Sequence, residues 1–207
     1  MSRGYFIGAT SRSGSTYLCG LLTSTGRLGA PLEYLNPGPN NGAPLCAQWG
    51  VDFGSPEHLD MIRATATEGL FGVKGAVGAY ERFVEWLGAP ALLIWMRRAD
   101  KLRQAISLYL ARWRQQHNRG THWRPGKPKP DDADAPFVAG KIRRCLDDVR
   151  RVERRWAQLV DERRGPTAVV WYEQLLEAPA REVHRIARLL DVDPTALGPV
   201  EPRTIMQ

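Results

Sequence analysis

Four short stretches of the chain are apolar at nearly every position: Tyr5–Ala9, Leu70–Lys74, Ala91–Met96 and Thr167–Trp171. An unbroken apolar run of this length predicts a strand covered on both faces, the usual state of a strand in a parallel sheet. Between these runs the apolar positions recur at helical spacing. Ser15–Thr25 predicts a first helix. Ser55-Pro56-Glu57 opens another, with a capping serine and a proline in the first turn. Ala99–Gln116 predicts a third, and residues 138–164 one long amphipathic helix. In the last, Ile142, Leu146, Val149, Val152, Trp156 and Leu159 form an apolar stripe, and arginines form the solvated face. Strands alternating with helices predict an α/β fold, a parallel sheet flanked by helices. Asn36–Pro44 and a Pro-rich stretch at about 118–136 read as loops. The length suits a single domain over 1–207.

The first strand runs into Thr10-Ser-Arg-Ser-Gly-Ser-Thr16, which leads directly into the first helix. A small-residue turn between strand and helix brings backbone N–H groups close to a ligand, and the helix N-terminus adds partial positive charge. Arg12 adds a permanent cation with a bidentate fork, and Ser13, Ser15 and Thr16 add hydroxyls. The segment reads as a loop for phosphate or sulfate; a plain glycine-serine turn is the alternative. It is not a Walker A loop, which needs Gly-Lys-Ser/Thr four residues after its first glycine. Here five residues separate Gly8 from Gly14, and Ser15 stands at the lysine position.

The third apolar run ends in Arg97-Arg98. In a nucleotide hydrolase, a strand beside the loop ends in an aspartate that holds magnesium. Carboxyl ends of parallel strands line the ligand crevice, so Arg98 is expected near Arg12. Ser107 lies a little over two helical turns further on. Basic strand ends without a magnesium carboxylate suit a nucleotide carrying an extra phosphate. Surface charge at a helix start is the competing reading.

Charge and composition narrow the partner classes. The net charge of +7, from 29 basic and 22 acidic residues, favours an anionic ligand, a nucleic acid or a membrane surface. Cys19, Cys46 and Cys145 are too few and too scattered for a disulfide framework or a zinc site. No run approaches a membrane span, and no leader pattern precedes the first strand. A cytoplasmic protein with no stable membrane insertion and no bound metal is expected. His117 and His122 are too irregularly spaced for a metal pair, and His58 and His184 read as ordinary helix residues. Trp113 and Trp123 bracket the Pro-rich loop and suit either the core or an acceptor.

Five segments occur together in one order: Thr10–Thr16, Gly29-Ala-Pro-Leu-Glu-Tyr34, Phe71-Gly-Val-Lys74, Arg98-Ala-Asp-Lys-Leu-Arg-Gln-Ala-Ile-Ser-Leu108 and Tyr172-Glu-Gln-Leu175. In this the chain resembles the bacterial sulfotransferases of the trehalose 2-sulfotransferase type, from about residue 4 to 191. The resemblance implies a P-loop-like sulfotransferase fold with 3′-phosphoadenosine 5′-phosphosulfate (PAPS) as donor and 3′-phosphoadenosine 5′-phosphate (PAP) as product. It also implies a carbohydrate or other small-molecule acceptor and a possible homodimer. Arg12, Ser13, Gly14, Ser15 and Thr16 would hold the 5′-phosphosulfate, Arg98 and Ser107 the 3′-phosphate, and Glu33 would be the catalytic base. Ala99 departs from the pattern, since similar chains often carry a further arginine there, which leaves Arg97 and Arg98 as rivals for the phosphate. On its own residues, Glu33 reads sooner as an exposed loop glutamate than as a base. Two other functions compete. A kinase-like phosphotransferase needs a P-loop lysine and a magnesium carboxylate, and neither is in place. A nucleic-acid-binding module would use the arginine-rich helix and many dispersed phosphate contacts, where the loop suggests one compact ligand.

Overall fold

The computed structural model describes residues 3–38, 42–117, 132 and 134–201. Four strands form one fully parallel sheet: β1 (Arg3–Ala9), β2 (Leu70–Gly75), β3 (Leu93–Arg97) and β4 (Thr167–Trp171). Their order is β2-β1-β3-β4. The helices are α1 (Ser15–Ser24), α2 (Gly42–Trp49), α3 (Pro56–Ala64), α4 (Val77–Leu87), α5 (Lys101–Gln116), α6 (Ala139–Glu162), α7 (Tyr172–Glu177) and α8 (Pro179–Leu189). The expected parallel sheet flanked by helices is thus the observed fold.

The apolar runs alternate between two cores, one on each face of the sheet. Tyr5, Ile7, Leu70, Ile94, Met96, Ala168 and Val170 pack with Leu18 and Leu22 of α1 and Val183 and Ile186 of α8. Phe6, Phe71, Val73, Leu93 and Trp95 point the other way, against Tyr80 and Phe83 of α4 and Trp156 of α6. Successive strand residues face opposite sides. Strands covered on both faces are therefore apolar at nearly every position, Lys74 of β2 and the half-buried Thr167 of β4 being the exceptions in these runs.

Most sequence-read boundaries shift by one or two residues, and two of the differences have a plain physical reason. Gly42–Pro44, read as loop, opens α2: the Gly42 N–H donates to the Asn36 carbonyl at 2.8 Å. Pro44 is tolerated because a first-turn residue has no intrahelical use for its missing N–H. The third predicted helix starts at Lys101 instead of Ala99, because Asp100 is its cap and accepts from the Arg103 N–H at 2.8 Å. Nearly all of the Pro-rich stretch, with His122 and Trp123, lies outside the described residues.

From β1 the chain goes to β2 on one side, then crosses back past β1 to β3 on the other. The loop after β1 therefore sits at the point where the strand order reverses, where open α/β sheets bind ligands.

Candidate active site

Residues 10–14 form a tight bend between β1 and α1. The Ser13 N–H donates to the Thr10 carbonyl at 3.2 Å, and Arg12 and Gly14 have φ of 65° and 91°. Glycine at 14 answers a second demand as well. A Cβ built there would fall 2.2 Å from the Tyr172 ring. No side chain caps α1, and the first N–H groups of a helix have no partner within it. The Ser13 hydroxyl is fully buried and has no hydrogen-bond partner among the described residues. A buried hydroxyl left in this way is costly unless a ligand meets it.

The β3 side of the loop carries the arginines. Arg12 Nε donates to Ser107 Oγ at 3.0 Å, bringing α5 against the loop. Arg98 Nη1 donates to the Arg12 carbonyl at 3.4 Å, and its guanidinium lies 4.9 Å from the centre of the Tyr172 ring. Gln104, buried on α5, donates to the Ser11 carbonyl at 2.9 Å. Burial lowers the pKa of Arg12, and the nearby charges of Arg114 and Arg98 lower it further. Arg114 itself is paired with Asp132. Like charges brought this close to Arg12 work against its charged form.

Arg97 turns elsewhere. Its Nε donates to Glu153 of α6 at 3.0 Å, and its guanidinium lies between the rings of Trp95 and Trp171 at 4.3 and 4.5 Å. Alternation along β3 sends adjacent side chains to different surroundings. Of the two rivals, Arg98 is the one beside the loop.

The β2 side carries the carboxylate. Gly29 turns with φ 70° where a Cβ would lie 2.8 Å from the Leu70 carbonyl oxygen. Leu32 then bridges Val73, and the Lys74 N–H donates to the Leu32 carbonyl at 2.8 Å. This sets Glu33 beside Lys74, whose side chain is only 3% exposed. Lys74 Nζ lies 2.9 Å from Glu33 Oε1 and donates to Thr16 Oγ1 at 3.1 Å. Asn36 Nδ2 donates to Glu33 Oε2 at 2.9 Å. Glu33 is thus a held carboxylate at the edge of the crevice, not a free loop glutamate.

Every residue singled out from the sequence, namely Arg12, Ser13, Gly14, Ser15, Thr16, Glu33, Arg98 and Ser107, lies on the loop, on the first turn of α1 or on an element bonded to them. Sequence reading gave no role to Lys74, Gln104 or Tyr172. The available signal for Lys74 was a lysine closing an otherwise apolar strand run. His117 bonds the Trp113 carbonyl at 2.7 Å and packs on the Trp113 ring, at the far end of α5 from Ser107. Among the described residues no group of three or more His, Cys, Asp or Glu is placed to hold a metal ion. No described helix is long and apolar enough to cross a membrane.

Comparison with known proteins identifies the architecture. The sulfotransferase domain of the Synechococcus PCC 7002 olefin synthase is 16% identical and superposes with a TM-score of 0.56, over 93% of this chain and 74% of that one. A sulfotransferase from Alicyclobacillus acidocaldarius is 13% identical, with a TM-score of 0.55 over 99% of this chain and 87% of that one. The sulfotransferase domain from the curacin biosynthetic pathway is 14% identical, with a TM-score of 0.56 over 98% and 76%. At such identities the likeness establishes the fold. None of the curated proteins matches in sequence. The family model for Stf0 sulphotransferase matches residues 4–74 and 66–207, nearly the whole chain. The chain belongs to the Stf0 sulphotransferase family, that of trehalose 2-sulfotransferase.

Proposed function

We propose that this chain transfers a sulfuryl group from PAPS to a hydroxyl of a carbohydrate or other small-molecule acceptor. The observation that carries the reading is the pairing of an arginine-flanked anion loop with a held carboxylate, one on each side of β1. The orphaned Ser13 hydroxyl and the neighbouring cations Arg12 and Arg98 fit a polyanionic donor.

In this reading the loop from Arg12 to Thr16 holds the 5′-phosphosulfate, and Arg98 with Ser107 holds the 3′-phosphate. The acceptor oxygen bonds to sulfur as the bond from sulfur to the 5′-phosphate oxygen breaks, leaving PAP. Glu33 takes the acceptor proton. Arg12 and the loop N–H groups stabilise charge on the equatorial and leaving oxygens, which is where such a site gains most over water. The reading includes a cytoplasmic setting, in keeping with three buried free cysteines. It also includes a homodimer, for which the exposed Phe137 is a candidate contact.

Calorimetry tests the donor. PAP is expected to bind without added magnesium and to raise the melting temperature, since a ligand of the native state alone stabilises it. Tighter binding of ATP with magnesium than of PAP would overturn the reading in favour of a phosphotransferase.

A further inference from the structure

A carboxylate that must accept a proton stands here beside a loop shaped for a multiply charged anion. The two requirements conflict, because a neighbouring negative charge drives a carboxylate to take up a proton before any acceptor arrives. The cation between them is Lys74. It projects from the carboxyl end of β2 with its side chain almost wholly buried, and its ammonium reaches both parties, Glu33 Oε1 at 2.9 Å and Thr16 Oγ1 at 3.1 Å. Leaving an ammonium buried is expensive unless it is paired. Its place in a strand buried at every position is therefore a definite feature of the fold.

We infer that Lys74 is a positioning residue that acts through Glu33, holding that carboxylate ionised and fixed while an anionic donor occupies the neighbouring loop. The inference rests on the reading of Glu33 as base and of the loop as donor site. Among the described residues, three titratable groups beside the pair carry no charge that could share the part. Cys19, one turn along α1 from Thr16, is fully buried and its thiol is pushed up to about 12. Burial likewise raises Tyr34, which follows Glu33, to about 12, and raises Tyr5 of β1. All three stay neutral where a carboxylate titrates. Asn36 donates a hydrogen bond to Glu33 but carries no charge.

The test is a carbon-detected NMR titration of the full chain labelled at the glutamate side-chain carboxyl. The Glu33 resonance is assigned by its loss in Glu33→Gln, and each protein is titrated without and with PAP. In Lys74→Met the Glu33 carboxyl is expected to titrate at least about one pH unit above wild type, and PAP to move it higher still. Lys74→Arg, which keeps the charge, is expected to restore the wild-type titration. A Lys74→Met titration that coincides with wild type, with and without PAP, overturns the inference. If Lys74→Met fails to fold, Lys74→Gln, which keeps a hydrogen-bond donor but no charge, carries the same expectation. Failure of PAP to bind wild type would remove the donor reading, whereas the PAP-free titration would still decide the part played by Lys74.

Discussion

On the β3 flank of the loop, cations crowd together: Arg98 reaches the Arg12 backbone, Arg12 reaches Ser107, and burial with the nearby charges of Arg114 and Arg98 lowers the pKa of Arg12. On the β2 flank, one cation is matched to one carboxylate, and both are tied down by further hydrogen bonds. The first arrangement brings like charges together, and the second matches opposite ones. A surplus of positive charge suits the binding of an anion. A balanced pair suits a group that must keep its charge and position until a proton is delivered.

Substitutions on the two flanks are expected to separate binding from turnover. The largest effect belongs to Glu33→Gln. Removing a general base costs about 10²–10⁴-fold in rate, so turnover is expected to fall on that scale while PAP affinity stays within a few-fold. Single-turnover sulfation with labelled PAPS, over a panel of soluble sugars that includes trehalose, measures the first quantity and calorimetry the second. Turnover near the wild-type rate would move the base elsewhere.

Arg98→Ala is expected to weaken PAP by about ten- to a hundredfold, the worth of a charge-assisted contact. The analogue lacking the 3′-phosphate is expected to lose much less. Arg97→Ala sharpens the contrast. It removes an ion pair and two ring contacts, and is expected to cost about 1–3 kcal/mol of stability in a denaturant melt. PAP affinity is expected to remain close to wild type. Reversed outcomes for the two arginines would exchange their assignments.

Gly14→Ala attacks the turn between the flanks. An alanine at positive φ costs about 1–2 kcal/mol, and its Cβ meets the Tyr172 ring. Lower stability together with weaker PAP binding is expected in paired melts and titrations. Unchanged values would mean that the loop yields without cost.

The smallest effect concerns Glu173, whose carboxylate accepts from the Ala99 and Asp100 N–H groups at 3.0–3.3 Å. Burial works to raise its pKa, but the bonds from Ala99 and Asp100, with Arg98 nearby, outweigh this and leave it lowered. A depressed carboxylate stabilises the fold fully above its unfolded pKa, and the contribution is lost as pH falls through the folded value. Below about pH 4.3, the usual glutamate value, wild type is therefore expected to lose stability faster than Glu173→Gln. Parallel curves would show that Glu173 contributes nothing there.

The sheet was legible because burial on both faces leaves little room for polar positions, so each strand announces itself as a short, mostly apolar block. The tight turn between β1 and α1 was legible because small residues and one arginine stand between a strand and a helix. Arg97 and Arg98 were not separable in one dimension, since their difference lies in which way alternate strand residues face and in the tryptophans waiting on one side. Lys74 was quoted within a motif but given no part, because its partners Glu33 and Thr16 come from distant segments joined only by strand pairing. The opening of α2 was hidden behind Gly-Ala-Pro, residues that suit a loop and a first helical turn equally well. The short α7 and the following α8 offered only Tyr172-Glu-Gln-Leu as a signal.

The central place of β1 has a kinetic side. Its pairings join Arg3 with Leu70 and Phe6 with Leu93, and the sheet closes only when Leu93 meets Thr167. Contacts so distant along the chain must meet their loop-closure entropy before they return any stability, which slows folding. During synthesis β1 emerges long before the strands it pairs with. Until then Tyr5, Phe6 and Ile7 present an apolar edge in a chain without its sheet, and the loop that follows has neither Ser107 nor Arg98 beside it. Conditions that slow elongation lengthen this interval and favour aggregation of the nascent chain.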